Sequence, residues 1–348
     1  MQAWRVHGFG EPGDQFVLDD VPEPKPADFA GLGMDLGGWV PLQPGAEPFT
    51  DWVLMRMSAA ALALPDVTMA RGTYPVPVLR PYISGQEGVG VVIEASPGRQ
   101  DMLGKRVAAV CIQPWGSLAP IAVGISSIFP VPEALSDEDA AGFMIAAHTA
   151  YHATIRRGGV TSGETVLVTG AAGGIGSAAI QLCVAAGARV LAMVGGKEKS
   201  EFVRGLGAEP IDHQSADVVA EARRLTNGEG VNVIVDPVQG QTAAQLRGAL
   251  APDGRHVLCG HAGGLVPHDP HFYLFNHTLV GVTLGGYSRP RMTEIHAETQ
   301  AALDELVAAG KYRPLVTQIV DFADAPQAVT DLAERRTMGR VVVRINPR

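Results

Sequence analysis

Val166–Leu182, VLVTGAAGGIGSAAIQL, is the segment from which the rest of the chain is read. Val166 to Thr169 favour a strand, Gly170-Ala171-Ala172-Gly173-Gly174 turns the chain, and apolar residues then recur at Ile175, Ala179, Leu182 and Ala186 with helical spacing. Strand, glycine turn and helix in that order open a βαβ dinucleotide site. Ala171 and Gly173 predict a tight turn whose backbone comes close to a pyrophosphate, and Gly176 predicts close packing of the helix against its strand. The helix N-terminus offers free N–H groups and the positive end of a dipole to phosphate. A glycine turn alone is common; its place between a strand and a helix makes this one informative.

Downstream the pattern alternates. Strands are predicted at Thr165–Thr169, Arg189–Val194, Pro210–Asp212, Val231–Asp236, His256–Gly260 and Thr278–Leu284. Helices fall between most of them, at Glu198–Leu206, Ala216–Leu225 and Thr242–Leu250. Six strands with short helical connections predict an α/β fold with a doubly wound parallel sheet. Upstream, Ser136 to Asp139 forms a capping-box signature that opens a helix running through Ala153. The chain up to Cys111 differs in kind: many short strands punctuated by Gly and Pro predict a compact β-rich domain. Within it, residues 27–50 are Gly- and Pro-rich and read as an irregular loop. Thr293–Ala309 and Ala325–Glu334 read as helices, and Arg340–Ile345 as a closing strand.

A chain of 348 residues is too long for one ordinary core, so two domains are expected. A net charge of −9 argues against nucleic acid or an anionic membrane as the main partner, because both need basic patches. Cys111, Cys183 and Cys259 are odd in number and lack metal-ligand spacing, so neither a disulfide framework nor a zinc knuckle is expected. The opening MQAWRVHGFG has no signal-peptide core and no apolar run reaches membrane length, so the expected location is cytoplasmic.

The second strand of the βαβ unit bears on the cofactor. A NAD site places an acid about twenty positions after the glycine turn to bind the ribose hydroxyl. Here that strand ends Val194-Gly195-Gly196-Lys197, and Lys199 follows. Nothing at the strand end repels a 2′-phosphate and a lysine supplies its counter-charge, so NADPH is expected over NADH.

Taken together, these segments resemble the medium-chain dehydrogenase/reductase superfamily, in its zinc-free, zeta-crystallin-like quinone oxidoreductase branch. The matching phrases include GTYPVPVLRPYISGQEGVGVV (Gly72–Val92), VPEALSDEDAAGFMIAAHTAYHAT (Val131–Thr154), the glycine turn, GARVLAMVGGKEKSEFVRGLGAE (Gly187–Glu209), VNVIVDPVQG (Val231–Gly240), GRHVLCGHAGG (Gly254–Gly264) and MGRVVVRI (Met338–Ile345). The resemblance implies a GroES-like catalytic domain from residues 1–125 and 288–348, a Rossmann NADP-binding domain at 126–287, an active cleft between them, and a homodimer. By motif match it places Thr149 near the nicotinamide, and Gly195, Lys199 and His213 around the adenosine. Ala172, Gly173, Gly174 and Ile175 fall at the pyrophosphate, and Gly240, Gly260, Val282, Thr283 and Leu284 along the nicotinamide half.

Zinc members of the superfamily carry a Cys-His pair before an aspartate turn and a Gly-His-Glu further on. This chain has Ala63-Leu64-Pro65-Asp66 and Gly85-Gln86-Glu87, so no metal is expected there. The histidines at 261, 268, 271 and 277 match no standard ligand spacing and read as a polar loop. Without a Lewis acid, the suitable hydride acceptor is one that spreads negative charge itself, a quinone or an α,β-unsaturated carbonyl. The protein then needs only hydrogen-bond donors. Tyr82, expected to face the cleft, and Tyr74 are the candidates. The expected activity is NADPH-dependent quinone reduction of a small-molecule substrate. The alternatives are an enoyl or 2-alkenal reductase and a non-catalytic NADPH-binding protein.

Overall fold

A computed structural model describes residues 1–29, 32–35, 38–41, 51–75, 78, 80–111, 113–265 and 274–345. The chain divides into two compact units, one of Met1–Ile145, Arg289–His296 and Pro314–Arg348, the other of Ala146–Ser288 and Ala297–Arg313.

The first unit is built on strands β1 (Gln2–Val6), β2 (Phe16–Asp20), β3 (Leu32–Asp35), β4 (Gly38–Pro41), β5 (Trp52–Leu62), β6 (Tyr82–Ile83), β7 (Glu87–Ala95), β8 (Arg106–Cys111) and β9 (Ile121–Pro130). A three-stranded sheet runs β2-β1-β6. A six-stranded sheet places the returning strands Val316–Asp321 and Arg340–Arg344 beside β5-β7-β8-β9, and β9 also pairs with β5. That closure leaves these four strands without a free edge between them. Val53, Met55, Met57, Leu62, Val107 and Ile128 fill the core, with Val341 and Val343 from the chain's end. Because β9 belongs to this closure, the unit extends past residue 125. Part of the segment expected to be an irregular loop is ordered instead. Pro26–Phe29 is a helical turn, and β3 and β4 pair from Leu32↔Pro41 to Asp35↔Gly38. Residues 30–31, 36–37 and 42–50 lie outside the described residues.

The second unit holds β10 (Thr165–Val168), β11 (Arg189–Val194), β12 (Glu209–Asp212), β13 (Val231–Asp236), β14 (Leu250–Leu258) and β15 (Thr278–Gly281). They form one sheet in the order β12-β11-β10-β13-β14-β15, every pair parallel. The order reverses between β10 and β13, which is the switch point at which ligands bind doubly wound sheets. Val- and Ile-rich strands suit burial in a parallel sheet. Leu167, Leu191, Ile211, Val231, Ile234 and Leu250 pack with Val218, Ala222 and Leu246 of the crossover helices. The helix opened by Ser136, whose Oγ accepts from Asp139 N at 3.1 Å, is interrupted at Gly142 and resumes at Met144–Tyr151.

Candidate dinucleotide site and the tyrosine segment

The glycine turn leaves β10 at Val168 and enters the helix Gly174–Ala185. Gly170 has φ +52°, a conformation that glycine adopts without strain. A β-carbon on Gly176 would lie 2.3 Å from Gly170 O and 2.6 Å from Ala171 Cα. Gly176 therefore packs the helix against the turn itself, where the sequence reading had placed the strand. Gly174, Ile175 and Gly176 open the helix, and their amides have no backbone acceptor among the described residues. Ala172 is buried, whereas Gly173, Gly174 and Ile175 are half-buried, so this amide row faces outward at the end of β10.

At the end of β11, a β-carbon on Gly195 would come within 3.0 Å of His213 Nε2 and 2.9 Å of Gln214 Nε2. Gly195 thus lies beneath the exposed His213, which follows β12, and these two predicted positions are brought together. Lys199 is half-buried on the helix Lys197–Gly205 that starts from Gly196. Lys197 is 90% exposed and pairs with Glu201 one turn on, at 3.7 Å. The sequence reading missed Asp212, which closes β12. Its Oδ1 accepts from Gln214 N at 3.0 Å and Gly196 N at 3.1 Å, and these bonds hold its carboxyl below the ordinary value. An acid at the end of the third strand was visible in the sequence, but its bond to the end of the second comes from the parallel pairing Val194↔Asp212.

Gly240, Gly260 and Val282–Leu284 follow strand ends of the same sheet. Gly240 follows β13 at φ +74°, and a β-carbon there would lie 2.2 Å from Gly263 O. Gly260 follows β14, where a β-carbon would lie 2.4 Å from Pro237 O. Val282 N donates to Leu258 O at 2.9 Å, which sets Val282, Thr283 and Leu284 just beyond β15. Thr149 is buried on the helix Met144–Tyr151. His268 and His271 lie outside the described residues, and among those described no group of three or more His, Cys, Asp or Glu side chains forms a metal cluster.

In the first unit the two tyrosines part company. Tyr82 is 0% exposed and belongs to the hydrophobic core, so it does not present its hydroxyl in a cleft as the sequence reading expected. The cause is β6, which pairs Tyr82 with Val6 of β1 and turns the ring inward. Its hydroxyl is buried without a hydrogen-bond partner among the described residues, and burial, with the nearby Asp66 charge, pushes its pKa far up. Tyr74 is half-buried, bonded to the Gln86 side chain, and its pKa is raised by burial against that bond. Asp66, on the helix Leu64–Arg71, accepts from Ala63 N at 2.8 Å, Gly85 N at 2.8 Å and Ser84 Oγ at 2.9 Å. Glu87 pairs with Arg340 and accepts from Ile145 N at 2.8 Å. Both carboxylates are fully buried and bonded within this unit.

Residues 50–125 match the family described as alcohol dehydrogenase GroES-like domain, and residues 174–307 the family described as zinc-binding dehydrogenase. The chain is 31% identical over 307 residues to the quinone oxidoreductase of Pseudomonas aeruginosa, covering 86% of this chain and 92% of that protein. A probable oxidoreductase from Mycobacterium abscessus superposes with a TM-score of 0.82 at 32% identity, covering 99% of this chain and 98% of that one. A mycobacterial protein complexed with NADPH superposes with a TM-score of 0.83 at 26% identity, covering 99% of both chains. Identity is 35% over 218 residues with a phenolphthiocerol/phthiocerol polyketide synthase from Mycobacterium tuberculosis; this covers 62% of the chain but only 10% of that relative's length. Sequence and fold agree from the GroES-like segment through the parallel sheet: the chain belongs to the medium-chain dehydrogenase/reductase superfamily, in its quinone oxidoreductase branch.

Proposed function

We propose that this protein is an NADPH-dependent oxidoreductase that reduces a quinone without zinc. The observation that carries the reading is the rim of the parallel sheet, where glycines and outward-facing amides end successive strands and Lys199 and His213 flank Gly195. The rim fits a dinucleotide. Side chains at Gly240 and Gly260 would collide with the backbone of neighbouring loops, so at these two positions only main chain is presented. The amides of Gly174 and Ile175 hold the pyrophosphate at a helix N-terminus. Lys199 supplies positive charge to the 2′-phosphate, and His213 lies beside Gly195 on the adenine side. Thr149, Gly240, Gly260 and Val282–Leu284 border the nicotinamide half. NADPH, when bound, supplies a hydride. Tyr74 is the donor to the oxygen that gains charge: a phenol keeps its proton at neutral pH, burial pushes its pKa further up, and Gln86 orients the hydroxyl.

The positions matching the zinc ligands do not fit a zinc ion. Ala63 and Gln86 replace ligand types, and the oxygens of Asp66 and Glu87 are engaged by backbone N–H groups, Ser84 and Arg340. A conjugated acceptor suits such a site because it delocalises the charge that a metal would otherwise neutralise. The similarity to a polyketide synthase segment favours a second reading on the same residues, in which the hydride goes to the β-carbon of an α,β-unsaturated carbonyl.

An acceptor panel tests both. Purified protein is supplied anaerobically with NADPH and either a benzoquinone or a 2-alkenal, and products are separated. A quinol supports the leading reading and a saturated aldehyde the second. Tight NADPH binding with no turnover on either acceptor leaves a non-catalytic binding protein. The assembly expected from the resemblance is a homodimer.

A further inference from the structure

Beneath the rim of the second unit lies a carboxylate that no cofactor position includes. Asp236 ends β13 and is 1% exposed. Its Oδ1 accepts from Thr169 Oγ1 at 2.5 Å, Gln239 N at 2.8 Å and Val238 N at 3.0 Å. Its Oδ2 lies 3.0 Å from His256 Nε2. Arg247 Nε–H points at the other ring nitrogen, Nδ1, at 3.3 Å. Arginine can only donate, so Nδ1 accepts, the ring proton sits on Nε2, and His256 donates to Asp236. Four donors therefore converge on one buried carboxylate. Burial pushes its pKa up, but the bonds from His256, Thr169 and Gln239 overcome this and hold it below the ordinary value.

Apart from His256 on β14, the donors come from two separate loops. Thr169 immediately precedes Gly170 of the glycine turn, whereas Val238 and Gln239 belong to the loop after β13. That loop places Gln239 at φ +55° and Gly240 at φ +74°, and left-handed backbone at a non-glycine residue needs support from its surroundings. The two loops also touch: a β-carbon on Gly170 would lie 3.0 Å from Val238 Cγ2.

We propose that Asp236, fixed by His256, is a positioning residue that clasps the glycine turn to the 237–240 loop, so that the pyrophosphate and nicotinamide halves of the site hold one spacing. The proposal rests on the reading of this rim as an NADPH site. Asp236→Asn tests it. The new amide turns an N–H toward His256 Nε2–H, and shifting the ring proton to Nδ1 would only move the conflict to Arg247. The double variant Asp236→Asn/His256→Gln supplies a side-chain carbonyl to accept from the new amide.

NADPH affinity is read by fluorescence titration, and amide hydrogen exchange is followed across 169–176 and 237–240. In Asp236→Asn, NADPH should bind about tenfold or more weakly, the scale of a lost charge-assisted bond. Exchange should quicken in both segments, and the double variant should recover most of the affinity. A folded Asp236→Asn that binds NADPH as wild type does, or that exchanges faster only at 237–240, overturns the proposal. If Asp236→Asn does not fold, Thr169→Val decides, since it removes the cross-loop bond alone. Faster exchange in the turn with weaker NADPH binding supports the clasp, and no change in either overturns it. If wild type binds no NADPH, the cofactor reading fails, and the clasp is judged by whether exchange in the two segments still moves together.

Discussion

Tyr74 and Tyr82 illustrate what one residue's surroundings decide. Sequence marks both as phenols near a proline-rich turn, but the pairing of Tyr82 with Val6, which buries one and leaves the other half-exposed, depends on a strand far away in the chain. Tyr82→Phe removes a buried hydroxyl that has no partner among the described residues, and leaving such a group unbonded costs about 1–3 kcal/mol. The variant should be as stable as wild type or more so, with turnover unchanged. A loss above about 1 kcal/mol in chemical denaturation would show that the hydroxyl is bonded in solution. Tyr74→Phe should lower turnover by about 1–2 kcal/mol in barrier height, less than a localised oxyanion would lose, with NADPH affinity retained. Equal turnover with a quinone and an enone would remove Tyr74 from the reaction. Lys199 is a second test at this scale. NADPH should bind more than tenfold tighter than NADH, and Lys199→Ala should erode that preference by about 1.5–3 kcal/mol. Lys199 could be proposed from sequence because it stands beside a strand end. Asp212 could not, because its bond to Gly196 exists only once two strands lie side by side.

Elements were legible where local pattern and tertiary demand coincide. The strand, turn and helix from Thr165 to Ala185 needed only β-favouring residues, small residues and helical spacing, and they formed within a residue of the predicted bounds. Other boundaries moved for reasons of pairing. β5 runs on through Ala59 to Leu62 as one strand because β7 and the returning strand Arg340–Arg344 pair with those residues. β14 starts at Leu250, earlier than its apolar run, because Leu250 pairs with Val231 before a register shift. The turn makes the sharpest prediction at this scale. Gly176→Ala puts a methyl group 2.3 Å from Gly170 O, a contact that neither backbone segment can relieve without moving. Overpacking of this kind costs about 1–3 kcal/mol, so the variant should melt earlier and lose NADPH affinity as the amides of Gly174 and Ile175 shift. Gly173→Ala is the internal control, because its β-carbon would meet only Gly170 O, at 3.3 Å. A Gly176→Ala protein as stable as Gly173→Ala would refute the close turn–helix contact.

At the scale of the whole molecule, the change in character from β-rich to alternating sequence announced two units, but not how the chain's end is shared between them. Pro314–Arg348 returns to the first unit because Arg340–Arg344 is apolar enough to enter a sheet beside β5, a pairing with no local signature. The second unit leaves an edge. Among the described residues β15 is the last strand of its parallel sheet and pairs only with β14, so one side of its backbone N–H and C=O groups has no strand beside it. Leu274, Phe275 and Leu279 around it are 58%, 56% and 39% exposed. An exposed edge strand with apolar flanks is a template for further pairing, and a symmetric pair of identical edges closes on itself without leaving another edge free. The homodimer expected from the resemblance would take a second copy of this chain as the partner of this edge. Light scattering at micromolar concentration should give twice the chain's mass, and Leu279→Lys should shift it toward a single chain while circular dichroism stays unchanged. A wild-type protein that scatters as one chain across the same range would show that this edge is left unpaired.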